Sequence, residues 1–286
     1  MPQHLNDATG ASAGNDADSS HDGVTLTHPS GASARIAIHG AQVLSWMDAT
    51  GQERLYLSSL AQYADGDAIR GGIPVVFPQF GMGPLPKHGF LRTRRWSLIS
   101  HLGTSATFRI TDDADTRALW PYPFLAELTV TLAETLTVSL AITNSGESAF
   151  SFTAALHNYL AVSDVKQAAV HGLSGLTYTD RTEAGAHRVE ESADVMLTGE
   201  TDRTYSSGPR RVVISSAIGP SSTVVDADGF QDWIVWNPWR EGSAALKDMN
   251  AGDYLHMLCV EAGRVSVPVL LAAGATWCGT EVIGAT

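Results

Sequence analysis

Four residues able to hold an anion fall within one stretch, IRGGIPVVFPQFGMGPLPKHGFLR at 69–92: Arg70, Lys87, His88 and Arg92. The chain is acidic, with 30 Asp and Glu against 18 Lys and Arg, yet no carboxylate occurs between Asp67 and Asp112, where six Lys or Arg stand. Glycines beside these cations let backbone N–H groups come close to an anion, and arginine offers a two-pronged fork for phosphate oxygens. A solvated positive face explains Arg94 and Arg95 adequately. It explains less well why Arg70 precedes Gly71-Gly72 and why Lys87-His88-Gly89 precedes Arg92. Both readings remain open on these residues alone.

Two further side chains could move protons. In FSFTAALHNYL (150–160), Phe150, Phe152, Ala154 and Leu156 share one face of a strand, while Ser151, Thr153, Ala155 and His157 share the smaller, more polar one. A histidine on such a face can donate a proton near neutral pH, or it can be a hydrogen-bonded structural residue. Glu261 closes an apolar run in YLHMLCVEAG (254–263). Burial there would raise its pKa toward the range of a general base; the alternative is a strand-terminal carboxylate turned to solvent. Other chemistries find no support, for there is no GxxxxGK[ST], HExxH or GxSxG, and FGMGPLP does not space its glycines as a dinucleotide-binding loop does. The ten histidines lack the short spacings of a metal site, and Cys259 and Cys278 read as buried thiols in apolar surroundings. WIVWNPW (233–239) supplies three tryptophans, of which at least two are expected in the core and one could stack on a sugar.

The elements that must position these groups are strands. Leu136, Val138, Leu140 and Ile142 alternate with polar residues, as do Leu128, Val130 and Leu132, and the two runs meet at Ala133-Glu134 in a short hairpin. Similar runs are expected near 34–38, 43–46, 96–101, 106–111, 150–157, 211–216, 222–226, 233–237, 254–261, 265–271 and 276–283. Helix is expected only at 57–64 and 159–162. This spacing predicts an all-β antiparallel sandwich. Residues 1 to about 22 hold almost no large apolar side chains and read as a disordered tail, leaving 23–286 as a single domain. A net charge of −12 argues against partnership with nucleic acid or an anionic membrane, so any anion site must be local. With no secretory or membrane-length apolar run, the expected location is cytoplasmic.

Taken in order, IRGGIPVVFPQFG, KHGFLR, HNYL, ETDRTY, VWNPW and CVEAG resemble the hexose-6-phosphate mutarotases, the glucose-6-phosphate 1-epimerase branch of the aldose 1-epimerase-like proteins. The resemblance spans about 23–283, and RGGIP…FP followed by HG-F-x-R is its specific part. It implies a galactose-mutarotase-like antiparallel β supersandwich with the sugar on its concave face. It also implies that His157 and Glu261 are the catalytic acid–base pair, and that Arg70, Lys87, Arg92 and Asp202 contact the substrate, with His88 beside them. Lys87 stands where relatives often carry Gln or Ser, and Asn158 where Thr is common. The implied reaction is interconversion of the α and β anomers of a hexose 6-phosphate by a monomeric enzyme, with no step demanding a metal or other cofactor. The alternatives are an aldose 1-epimerase acting on unphosphorylated sugars, a noncatalytic sugar-phosphate-binding protein, and a plain carbohydrate-binding module.

Overall fold

The computed structural model describes residues 22–218 and 221–286. The tail expected over 1 to about 22 therefore lies outside the described residues except for Asp22, whose carbonyl accepts from the Ile38 N–H and whose carboxylate pairs with Arg95 at 2.5 Å.

Period-two patterning becomes three antiparallel sheets. The largest has nine strands in the order Asp194–Met196, Ala169–His171, Arg211–Ile218, Ser221–Asp228, Thr276–Ala285, Leu136–Asn144, Phe124–Leu132, Ser105–Thr111 and Ser97–His101. In Leu136–Asn144, buried Leu136, Val138, Leu140 and Ile142 alternate strictly with half-buried Thr137, Ser139, Ala141 and Thr143, as expected of a strand with one face in the core. Its hairpin partner Phe124–Leu132 is joined through residues 133–135, a connection one residue longer than the sequence suggests.

The eight-stranded sheet carries the residues of interest. Its order is Ala186–Val189, Thr177–Asp180, Thr201–Tyr205, Asp232–Asn237, Met257–Leu271, Phe150–Leu156 and Val75–Val76, and Tyr159–Ala161 also pairs with Met257–Leu271. A third sheet, Gly23–Thr27, Ser33–Ala37 and Val43–Met47, completes the fold. One apolar cluster joins all three, with Leu140 and Val138 from the largest sheet, Phe152 and Val260 from the second, and Trp46 from the third. Burying such side chains is worth about 1.5–3 kcal/mol each, and this core is the main force holding the sheets face to face.

Several expectations need correction. Residues 57–64 form no helix, and Tyr159–Ala161 is a strand. Helix occurs instead at Ala114–Leu119, started by a reciprocal capping box between Asp113 and Thr116, and at Trp239–Ala245 after Pro238. The two strands expected at 254–261 and 265–271 are one continuous strand, Met257–Leu271, whose register against Phe150–Leu156 shifts between Arg264 and Val269. Glu261 therefore lies within a strand and does not end one. Cys259 is buried as expected, but Cys278 is exposed, because the outward-facing residues of Thr276–Ala285 include it.

The 69–92 segment runs along the edge of the eight-stranded sheet. Val75 and Val76 pair with Leu156 and Ala155, and Thr153 ties the segment down at both Pro78 and Phe80. Two of its glycines permit this seating. Gly72 and Gly89 have φ of +61° and +71°, and a Cβ on either would lie 2.1 Å from the Val43 carbonyl oxygen or 2.0 Å from that of Phe77. The loop backbone therefore rests directly on the backbone beneath it.

Candidate active site

Strand alternation selects which side chains leave the core. In Asp232–Asn237, Trp233 and Val235 join the core cluster, so Ile234 and Trp236 face the other way. Asp202 pairs across with Trp236, Trp236 with Cys259, and Cys259 with Tyr159, while Ile234 pairs with Glu261. Residues directly opposite in an antiparallel ladder share a face. Asp202, Ile234, Trp236, Cys259, Glu261 and Tyr159 are thereby set on one surface, and His157 follows Leu156 onto it.

The 69–92 segment folds over this surface and closes a cavity of about 320 Å³. All seven residues singled out in the sequence line it: His157, Glu261, Arg70, Lys87, His88, Arg92 and Asp202. They come from positions nearly 200 apart in the chain, brought together by sheet pairing.

Glu261 and His157 sit at its floor, with side chains only 1% and 7% exposed. His157 Nδ1 lies 3.4 Å from Glu261 Oε1, yet among the described residues neither that nitrogen nor Glu261 Oε2 has a hydrogen-bond partner. The His157 ring stacks face to face on Tyr159 at 4.8 Å, and its backbone N–H donates to the Pro74 carbonyl. Its neighbour Asn158 fixes the chain from behind, donating to the Val260 carbonyl at 3.2 Å and to Glu281 Oε2 at 2.8 Å. Val260 directly precedes Glu261 within Met257–Leu271, so Asn158 ties the segments bearing both floor residues to each other and to the largest sheet.

Burial dominates the electrostatics of this floor. It pushes the Glu261 carboxyl well above the usual carboxylate range, helped by Asp202 and opposed by Arg181, Arg92 and Lys87. It also holds His157 well below the ordinary histidine value, reinforced by His88, Arg92 and Arg70. Burial thus disfavours charge on both members of the pair.

The cationic side is built with equal economy. Arg70 is held by Tyr159, whose hydroxyl accepts from Nη1 at 2.9 Å, and by Asp248, which accepts from Nε at 3.2 Å. Burial works against its charge, but Tyr159 and Asp248 together keep its pKa above the ordinary arginine value. Arg92 donates from Nη2 to the Lys87 carbonyl, while its buried Nε has no acceptor among the described residues. Burial, and Arg70 after it, lowers the pKa of Arg92; Lys87, at the exposed rim, is lowered by partial burial, Arg92 and Arg70. His88 adopts a left-handed φ of +65°, and burial with Arg92 and Lys87 nearby depresses its pKa to about 2. It is a neutral wall: its Nδ1 accepts from the Gly81 N–H at 3.3 Å, and its ring edges onto His157. Three cations that repel one another around an unpaired donor form a site whose charge an anion would satisfy.

Sequence reasoning missed Arg181 and Tyr159, while Trp236 is one of the three tryptophans read as able to stack on a sugar. Arg181 lies 3.9 Å from Asp202 and over the Phe80 ring at 4.8 Å. Nothing local in TYTDRTEAG sets it apart from a surface turn residue. Of the three tryptophans, Trp233 is in the core, Trp239 packs on Tyr254, and Trp236 lines the cavity. His157, Cys259 and Glu261 also bring three potential metal-ligating atoms within 4.8 Å of one another, a convergence invisible in the linear spacing of the histidines.

A family model described as Aldose 1-epimerase matches residues 22–283. A protein of Cenchrus ciliaris named "Putative glucose-6-phosphate 1-epimerase" is 35% identical over 266 residues, covering 88% of this chain and 81% of that one. A protein of Escherichia coli K12 with the same name is 32% identical over 250 residues, covering 85% and 83%. Among solved structures, a "putative mutarotase (YeaD)" from Salmonella typhimurium superposes with a TM-score of 0.85 at 27% identity, covering 93% of this chain and 91% of that one. A galactose mutarotase-like protein from Lactobacillus casei superposes with a TM-score of 0.74 at 16% identity, covering 92% and 100%, and shares the fold.

Proposed function

The chain belongs to the aldose 1-epimerase family, and from that premise we propose that it is a hexose-6-phosphate mutarotase interconverting the α and β anomers of glucose 6-phosphate. The observation that carries this reading is a single cavity with a buried, mutually unbonded His157–Glu261 pair at its floor and Arg70, Lys87 and Arg92 at its side. A phosphate monoester carries about −1.5 to −2 charges near neutral pH, which the three cations can match. Anchored there, the sugar presents C1 and its ring oxygen to the floor.

Ring opening takes one proton off the C1 hydroxyl and places one on the ring oxygen as the C1–O5 bond breaks. In the closed-ring complex Glu261 is ionised and His157 protonated. Glu261 removes the C1 hydroxyl proton, His157 donates to O5, and the pair ends uncharged beside the open-chain aldehyde. Rotation about C1–C2 presents the other carbonyl face. Glu261 then returns its proton to the carbonyl oxygen while His157 takes one from the O5 hydroxyl as it attacks C1. Protons balance over the cycle. Burial, which disfavours charge on either group, works in favour of the uncharged pair that accompanies the transient aldehyde. Asp202 orients a ring hydroxyl or restrains Arg181, and Trp236 offers an apolar wall to the sugar.

The test is relaxation of freshly dissolved α-glucose 6-phosphate toward anomeric equilibrium, followed by NMR. Wild type is expected to accelerate it, and Glu261→Gln to lose about 10²- to 10⁴-fold of that acceleration, the usual worth of one positioned proton-transfer group. A relaxation rate equal to that of buffer, with the phosphosugar still bound, would instead identify a sugar-phosphate sensor.

A further inference from the structure

We propose that His157, Cys259 and Glu261 together form a binding site for a thiophilic divalent cation of the zinc type, at the floor of the cavity and in competition with the sugar. Cys259 has no part in the proton transfers, yet it stands two residues before Glu261 on the same strand and so on the same face. Its sulfur, a His157 nitrogen and a Glu261 oxygen all fall within 4.8 Å of one another. Two of these three groups are buried with an unpartnered atom, Nδ1 of His157 and Oε2 of Glu261. Buried polar atoms without partners are costly, and a metal ion is one of the few ligands that can satisfy a nitrogen lone pair and a carboxylate at once.

The geometry suits a tetrahedral ion. Zinc bound to nitrogen and oxygen at about 2.0–2.1 Å sets those atoms about 3.3 Å apart, and a thiolate at about 2.3 Å lies about 3.6 Å from each. The observed separation of His157 Nδ1 and Glu261 Oε1 is already 3.4 Å. Since all three ligand atoms already lie within 4.8 Å of one another, no pair must close by more than about 1.5 Å to reach these separations. His157 and Glu261 line the cavity and Cys259 does not, so the cavity would be the route of entry and the side on which a fourth ligand would sit.

Charge decides which cation fits. Neutral imidazole, thiolate and carboxylate sum to −2, cancelling a divalent ion, so the loaded floor is neutral beneath Arg70, Arg92 and Lys87. Those cations oppose the approach of any metal, and a hard ion such as magnesium, gaining nothing from sulfur, has no compensating bond. The site therefore selects zinc, cobalt and similar ions over magnesium and calcium. A bound ion occupies the lone pair and the carboxylate that the proton transfers need.

The experiment titrates the purified full-length protein with Co²⁺, whose thiolate bond gives a near-ultraviolet charge-transfer band, and then displaces it with Zn²⁺. The expected result is a 1:1 band that zinc abolishes, that Mg²⁺ leaves untouched, and that glucose 6-phosphate weakens. Cys259→Ser should remove the band and lower zinc affinity by more than the about 10- to 100-fold that loss of a merely supporting partner costs. Should serine unsettle the buried position, Cys259→Ala makes the same comparison. Cys278→Ser, which alters the exposed thiol, should keep the band. No band in wild type, or a band lost with Cys278→Ser and kept with Cys259→Ser, overturns the site. Metal binding and anomer relaxation are separate readouts: a Cys259-dependent band in a protein that leaves the relaxation rate at the buffer value supports the cation site and removes the mutarotase reading.

Discussion

Arg92 concentrates the specificity question in one side chain. Its Nη2 is committed to the Lys87 carbonyl, but its buried Nε has no acceptor among the described residues. A hydrogen bond to a charged group is worth about 1.5–3 kcal/mol. Arg92→Ala should therefore cost roughly 10- to 150-fold in kcat/KM for glucose 6-phosphate while changing turnover of free glucose little. Equal losses on the two sugars would sink the anchoring role. The cations of this site were legible in the sequence because glycines and the absence of carboxylates between Asp67 and Asp112 singled them out against an acidic background. Arg181 was not, since its place at the cavity depends on which strand neighbours Thr201–Tyr205, and that pairing leaves no trace in the residues around it. The proposed catalytic pairing of His157 with Glu261 rests on family resemblance; alternation alone leaves each of them open between a site residue and a structural one.

Among the elements, Thr276–Ala285 acts on the site from the far side of the core. Its Glu281 is fully buried, accepts from Asn158, and has a second oxygen without a partner. Burial raises its pKa from 4.5 to about 8, with the Asn158 hydrogen bond acting in the opposite sense. Between these values the folded chain keeps a proton that the unfolded chain has released. Stability from this group is thus fully present below pH 4.5 and is lost as pH rises through 8. Glu281→Gln, which cannot ionise, should gain on wild type in urea unfolding progressively across that window; a difference independent of pH would refute the assignment. Asn158→Ala leaves the Glu281 carboxyl without its donor and should cost about 1–3 kcal/mol. It should also lower kcat more than it raises KM, because the tether holds the floor and not the anion. The strict alternation of Leu136–Asn144 made the central strands readable. Ala169–His171, Thr177–Asp180 and Asp194–Met196 escaped notice because three or four residues are too few for a period to declare itself.

For the molecule as a whole, a net charge of −12 repels a dianion at long range while the cavity attracts it at close quarters. Among the described residues no helix is long and apolar enough to cross a membrane. One apolar core touches all three sheets, and we propose that residues 23–286 are a single cooperative domain. Leu140→Ala, in the middle of the largest sheet and fully buried, should cost about 2–5 kcal/mol and lower the melting temperature of one calorimetric transition. Two separable transitions would show that the sheets do not melt together. The direct seating of Gly72 and Gly89 on the carbonyls of Val43 and Phe77 bears on redesign. A loop with no clearance beneath it cannot be lowered to grip a smaller sugar, so a change of substrate in that direction has to be sought by exchanging Arg70, Lys87 and Arg92. Transplanting the segment onto another sandwich would succeed only if the strands it lies on travelled with it.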